Sequence, residues 1–237
     1  MDMEDQKLLP TKDIVVKKLS LQQKIDDALD NENYEESDRL YELVSELNEK
    51  YDFKDQVFEE NGRKGLRDMT GDTLVPPLYA GICETYNFEE LRGCPIGVCN
   101  ENGKCALVTT DGEGTLLTDF EYDNIRFFGY LPYFIVWKGE KVGFIDIDGT
   151  VVVPCILDDW HDGFNDIQII ESEGKYGFIT RWGLYVEPMY DELDNKNNEP
   201  RVRKGDTWGY VNTDGDFVTK DTPGIDDMDI LKFFVNF

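Results

Sequence analysis

Five segments of this chain align on one small residue each: KGLRDMTGDTLVPP, CALVTTDGEGTLLT, VGFIDIDGTVVVP, YGFITRWGLYVEP and WGYVNTDGDFVTK place Gly65, Ala106, Gly143, Gly177 and Gly209 in register. Six positions beyond each anchor stands Gly71, Gly112, Gly149, Gly183 or Gly215. Three or four positions before it stands Gly62, Gly103, Gly139, Gly174 or Gly205. The spacing between anchors falls along the chain from 41 through 37 and 34 to 32. A unit of this length cannot bury its own apolar face, so each copy must lean on its neighbours and the fold must be an array.

The positions within a unit specify its local structure. The outer glycine, as in NGK, KGE, EGK and KGD, supplies the positive φ of a tight hairpin turn. Alternation such as Gly143-Phe144-Ile145-Asp146 reads as a half-buried strand, and the following D-G or W-G step opens a second turn. Pro76, Pro154 and Pro188 then end a third strand at an edge, and an aromatic-acid or acid-acid pair follows the proline or its equivalent position, as Tyr122-Asp123, Asp158-Asp159 and Tyr190-Asp191. The small anchor admits close approach of backbone or of an aromatic ring. Each unit is therefore expected to be a three-stranded antiparallel meander.

In KYGFITRWGLYVEPMYDEL and TWGYVNTDGDFV this pattern resembles the WG repeat family, also called KWG repeats, whose signature is W-G-[FY]-[IV]-x-x-x-G-x-x-x-x-P-x-Y-D. The resemblance spans about Tyr51 to the C-terminus. Only Trp208 keeps the family tryptophan; Lys64, Cys105, Val142 and Tyr176 replace it elsewhere. It implies structural roles for Gly65, Gly71, Gly112, Gly143, Gly149, Gly177, Gly183, Trp208, Gly209 and Gly215. DILKFFVNF, Asp229 to Phe237, is expected to cap the last unit.

Ahead of the repeats, Ser20 to Lys50 contains neither Gly nor Pro and reads as two helices. Ser20 and Gln23 form a capping box before the stripe Leu21, Ile25, Ala28 and Leu29. Asn33 and Glu36 cap a second helix with Leu40, Leu43, Val44 and Leu47, and Asp30 to Asn33 is the turn. L-x-x-x-I-x-x-A followed by Y-E-x-S-x-x-L resembles the UVR motif of the UvrB and UvrC excision-repair proteins. Leu21, Ile25, Ala28, Tyr34, Glu35, Ser37, Leu40, Val44 and Leu47 match it, whereas Tyr41 and Glu42 stand where the family has Arg-Asp. In that family the hairpin is a protein-pairing device, and related copies occur in bacterial proteins that engage a protease-unfoldase ATPase. The resemblance thus implies Tyr34, Glu35, Ser37, Leu40 and Val44 as partner-binding residues.

The expected organisation is a flexible acidic tail over 1–18, the UVR-like hairpin over 19–50 and a β domain of about five repeats over 51–237. The fold class is mainly β with an N-terminal helical hairpin, its repeats forming a twisted array or a barrel-like assembly. A formal charge of -26 repels a phosphate backbone, which argues against direct nucleic-acid binding. No basic signal and no apolar run long enough for a membrane span stand in the sequence, so a cytoplasmic protein is expected. Cys83, Cys94, Cys99, Cys105 and Cys155 are odd in number and form no C-x-x-C pair, which leads to an expectation of reduced, mostly buried thiols.

One segment invites an enzymatic reading. KVGFIDIDGTVVVP carries the Asp-x-Asp-Gly-Thr of haloacid dehalogenase phosphatases at Asp146 to Thr150. In the repeat register, however, this slot is also Asp68 to Asp72, Thr109 to Glu113, Thr180 to Leu184 and Asn212 to Asp216, which marks it as a turn. The parallel-sheet context required by that chemistry is missing. His161, the only histidine, stands in DDWHDGF and reads as a loop residue, and no phosphate-binding G-x-x-x-x-G-K-[ST] occurs. Asp146, Asp148, Asp214 and Asp216 keep a calcium site open as an alternative. Trp137, Trp160 and Trp182 are expected in the core. The functional expectation is a non-enzymatic protein-interaction module with a protein partner, no cofactor and no metal; the rivals are a ligand- or calcium-binding β protein and, disfavoured, the phosphatase.

Overall fold

A computed structural model of the chain describes residues 7–8, 10–51, 53, 55–83, 93–127, 132–161, 167–194, 201–219, 222 and 230. It divides into two compact units, Met1–Asp119 and Phe120–Phe237. The boundary therefore falls within the repeats, and the helices share a unit with the first two copies.

The helical hairpin consists of α1, Lys12–Asp30, and α2, Tyr34–Lys50. Helix α1 starts eight residues before Ser20, so the expected capping box at Ser20 and Gln23 does not form, and residues 12–18 of the expected tail are helical. The physical reason is burial: Val15 joins Leu21 and Ile25 in the hairpin core, a gain that a start at Ser20 would forgo. At α2 the Asn33 side chain accepts the Glu36 N–H at 3.3 Å as expected. The Glu36 carboxylate, however, pairs with Arg39 at 2.7 Å. Leu40, Val44 and Leu47 complete the core, on which Phe53, Tyr51 and Met69 also pack. The hairpin is thereby docked on the chain that follows it.

Among the described residues five antiparallel sheets follow, each joining strands that are consecutive in the chain, and none closes into a barrel. The first contains β1 (Gln56–Glu60), β2 (Arg63–Arg67) and β3 (Thr73–Tyr79). The second contains β4 (Gly81–Ile82), β5 (Ile96–Cys99) and β6 (Cys105–Val108). The third contains β7 (Asn124–Phe127), β8 (Tyr133–Lys138), β9 (Lys141–Asp146) and β10 (Val151–Leu157). The fourth contains β11 (Asp159–His161), β12 (Ile167–Ser172), β13 (Lys175–Thr180) and β14 (Tyr185–Tyr190). The fifth contains β15 (Glu192–Asp194), β16 (Arg201–Lys204), β17 (Thr207–Val211) and β18 (Phe217–Val218).

The first two sheets are the expected three-stranded meanders, and the other three gain a fourth strand. After β3, β10 and β14 the chain turns on one residue, Ala80, Asp158 or Asp191, and enters the next sheet as its first strand. The prolines do not end these strands either. Pro76, Pro154 and Pro188 lie inside them, where the pairing slips between Leu66↔Val75 and Lys64↔Tyr79, between Val153 and Leu157, and between Val186 and Tyr190. A bulge leaves a residue outside the ladder, which suits one that has no N–H to donate.

The bulge explains the small anchor. At Gly143 an added Cβ would stand 2.6 Å from the Val153 carbonyl oxygen and 2.8 Å from backbone atoms of Pro154 and Cys155. Gly65 meets the Val75 oxygen at 2.6 Å, and the Val186 and Val218 oxygens crowd Gly177 and Gly209 more closely still. Backbone approach is thus the constraint.

Within Phe120–Phe237 the sheets shelter one another. Ile170 and Ile179 face one way and pack with Ile135, Phe144 and Val153 of the preceding sheet. Their neighbours Ile169 and Phe178 face the other way, against Leu193, Val202 and Val211 of the following sheet. The alternation of β12 and β13 therefore feeds two cores, because successive side chains leave opposite faces. Of the expected terminal cap only Ile230 lies among the described residues, and it bridges Asn212.

Candidate functional site

The turn that holds the phosphatase-like motif has a structural job. Asp146 ends β9, whose neighbours β8 and β10 both run antiparallel to it. Its Oδ1 accepts the N–H groups of Asp148 at 2.9 Å and Thr150 at 2.8 Å. Asn212 does the same for Asp214 at 3.1 Å and Asp216 at 2.7 Å, and Asp68 for Thr70 at 2.8 Å and Asp72 at 3.0 Å. In the remaining copies a threonine hydroxyl serves: Thr180 accepts from Leu184 N–H and Thr109 from Thr115 N–H. Asp, Asn and Thr interchange here because the turn needs a side-chain acceptor rather than a charge. The second glycine, Gly71, Gly112, Gly149, Gly183 or Gly215, takes φ between 82° and 93° in every copy. Among the described residues these carboxylates do not converge as a metal-type cluster; three sulfurs do.

A second acidic position lies at the corner between sheets. Asp123 accepts the Gly139 N–H at 2.7 Å, Asp158 the Glu173 N–H at 2.6 Å and Asp191 the Gly205 N–H at 2.7 Å. Each corner carboxylate thus holds the hairpin turn of the unit it leads into. Contact with the Lys141 ammonium, then the Glu173 N–H, holds the Asp158 carboxyl below its usual range. Lys175, then the Gly205 N–H, does the same at Asp191. The pair preceding the corner in the third copy is Leu157-Asp158 rather than Asp158-Asp159, because β10 carries one more residue after its proline than β14 does.

His161 is a strand residue of β11 instead of a loop residue, with Nε2 3.1 Å from Glu171 Oε2. Trp137 and Trp160 are half-buried against the core of the third sheet. Trp182, expected inside, is 58% exposed. Trp208 lies 5.3 Å beneath the Arg201 guanidinium.

The implied partner-binding residues divide between two environments. Ser37, Leu40 and Val44 are buried, the last two in the hairpin core, and Ser37 Oγ donates to the Tyr34 carbonyl at 2.9 Å. Only Tyr34, 62% exposed, and Glu35 face outward. Tyr41, also exposed, lies seven residues on and so shares the face of Tyr34. That two-turn spacing, off the apolar stripe, is the signal that a sequence reading could have used.

The cysteines depart from expectation. Cys99 and Cys105, directly opposite on β5 and β6, form a disulfide. Cys83 Sγ stands 3.5 Å from Cys99 Sγ. The pairing of β4 with β5 brings Cys83 there across a separation of 16 residues, which spacing within CPIGVC cannot reveal. Burial pushes the Cys155 thiol up, and its Sγ lies 3.7 Å from the Val136 carbonyl.

No helix among the described residues is long and apolar enough to cross a membrane. No family model and no curated protein matches the chain. Among solved structures, a crystal structure of "the eukaryotic initiation factor" aligns at 10% identity with a TM-score of 0.37, over 64% of this chain and 49% of that one. The chain thus spans about half the length of that protein.

Proposed function

We propose that this chain is a non-enzymatic protein-interaction module of the bacterial cytosol, a WG-type repeat array joined to a UVR-like hairpin. The observation that carries this reading is a recurring solvent-facing apolar side chain. Leu78, Ile156 and Met189 each precede the buried corner residue Tyr79, Leu157 or Tyr190, and are 63%, 53% and 37% exposed. Scattered apolar residues on a surface are ordinary, but here the same outward slot is filled three times, and neither Ile156 nor Met189 belongs to the cores of the later sheets. Tyr34 and Tyr41 add an aromatic face on the hairpin, flanked by Glu35 and Glu42. With a charge of -26, a basic protein surface is the complementary partner.

Two double variants of the full chain test the reading, Tyr34→Ala/Tyr41→Ala and Ile156→Asp/Met189→Asp. Cross-linking and affinity capture beside the wild type should show partners lost from one or both, at unchanged melting temperature. An identical partner set in all three proteins would overturn the proposal.

A further inference from the structure

We propose that Cys83, Cys99 and Cys105 form a redox-gated zinc site in the second repeat. All three sulfurs lie within 4.8 Å of one another. Zinc–sulfur bonds of about 2.3 Å put tetrahedral thiolates about 3.8 Å apart, so a modest adjustment after disulfide reduction brings them to an ion. The 3.5 Å approach of Cys83 to Cys99 already lies near that spacing.

The arrangement is built by the sheet rather than by a loop. Cys99 and Cys105 are paired residues on β5 and β6, held by a turn in which Asn100 Oδ1 accepts the Asn102 N–H at 2.9 Å and the Lys104 N–H at 3.1 Å. Cys83 follows β4 and donates its N–H to the Gly97 carbonyl at 2.8 Å, which places it diagonally from Cys99 on the same face. Opposite Cys99 stands Gly81, where an added Cβ would meet only the Cys99 Cβ, at 3.6 Å. The fourth repeat has His161, Glu171 and Tyr176 at the corresponding three positions. There too the side chains converge, with His161 Nε2 3.1 Å from Glu171 Oε2 and 6.3 Å between the His161 and Tyr176 rings. The positions thus meet in two repeats with different residues, and only the second repeat fills all three with sulfur.

The disulfide joins two of the sulfurs, and the register of β4 on β5 sets the third beside them. Soft thiolates select thiophilic ions. Three thiolates around Zn(II) leave one net negative charge and around Cu(I) two, so a largely buried site favours zinc. Cys83 and Cys105 are buried, whereas Cys99 is partly exposed and leaves a side from which water can supply a fourth ligand. The gating step balances: two molecules of a monothiol reductant cleave the Cys99–Cys105 bond, giving two cysteine thiols and one oxidised reductant disulfide. Zinc then displaces protons from the cysteine thiols to the buffer. A low-molecular-weight disulfide reverses the sequence: it is reduced to two thiols as the Cys99–Cys105 bond re-forms, which leaves Cys83 as the single sulfur ligand.

The test uses the full chain, reduced under anaerobic conditions, with zinc added in competition with a chromophoric chelator. One zinc per reduced chain and none per oxidised chain is expected. Alkylation followed by mass spectrometry should show zinc protecting Cys83, Cys99 and Cys105 while Cys94 and Cys155 react as in the zinc-free chain; this readout needs no variant that could misfold. Cys83→Ser should lose zinc yet keep the oxidised Cys99–Cys105 pair. Absence of zinc binding in the reduced chain, protection of other cysteines, or binding of Cu(I) alone would overturn the assignment.

Discussion

The anchor glycines Gly65, Gly143 and Gly177 each hold a bulge against their own sheet, and this sets their sensitivity apart from that of the turn glycines. Gly177→Ala forces a Cβ into the backbone of Val186 to Pro188, which a β-bulge cannot vacate without breaking the pairing. A loss of about 2–3 kcal/mol is expected. Gly174→Ala meets nothing within 4 Å but must hold φ at 69°, which costs about 1 kcal/mol. Urea unfolding of both variants checks the order. Tyr190 supplies a second residue-scale prediction: its hydroxyl is buried without a hydrogen-bond partner among the described residues, and burial, then the nearby Asp216 charge, pushes its pKa up to about 12. Tyr190→Phe removes a polar group that no described residue satisfies and should stabilise the chain by about 1 kcal/mol at neutral pH. The raised pKa means that the folded state keeps its proton longer than the unfolded chain. Its contribution is therefore intact below about pH 10 and is lost as pH rises toward about 12. Melting curves of Tyr190→Phe should accordingly fall less steeply across that window than those of the wild type.

Strands and helices here take their ends from specific side chains, so their limits can be moved predictably. The corner between β14 and β15 depends on Asp191, which reaches both Lys175 and the Gly205 N–H. Its lowered pKa makes the ionised form the stabilising one: the contribution is present above the unfolded value of about 4 and disappears as pH falls through the lower folded value. Asp191→Asn should melt lower than the wild type at pH 7, and the gap should narrow below about pH 4; thermal melts from neutral to acid pH check it. At the other end of the chain, Asn33 caps α2 whereas Ser20 lies inside α1. Asn33→Ala should cost about 1 kcal/mol and Ser20→Ala less than about 0.5 kcal/mol, as followed by helical circular dichroism on denaturation.

The whole molecule is organised by which sheets share a core. Both cores of the later sheets are built entirely from residues after Phe120, and the hairpin core from residues before Asp119. The fragment 120–237 should therefore unfold cooperatively by itself, with a midpoint matching one of two transitions in the full chain; a non-cooperative melt of the fragment would count against this division. The turn positions of the repeat were legible in the sequence, because positive φ and close backbone approach are demands that one residue meets locally, as Gly65, Gly143 and Gly149 do. Helix α2 and its Asn33 cap were legible for the same reason. The early start of α1 was not, since burial of Val15 outweighed a sound capping signal at Ser20. Nor was the inward placement of Ser37, Leu40 and Val44 separable from a partner-facing role, because an apolar stripe serves a neighbouring helix and a foreign one alike. Sequence alone determined that this chain makes repeated antiparallel β units behind a helical hairpin, because those choices depend on dihedral angles and on periodicity along one segment. Only the tertiary structure decided that Asp158 and Asp191 hold the next unit's turn and that Cys83 meets Cys99 and Cys105. Those contacts cross strand pairings and bulges, where one extra residue such as that in β10 changes which side chain reaches the corner.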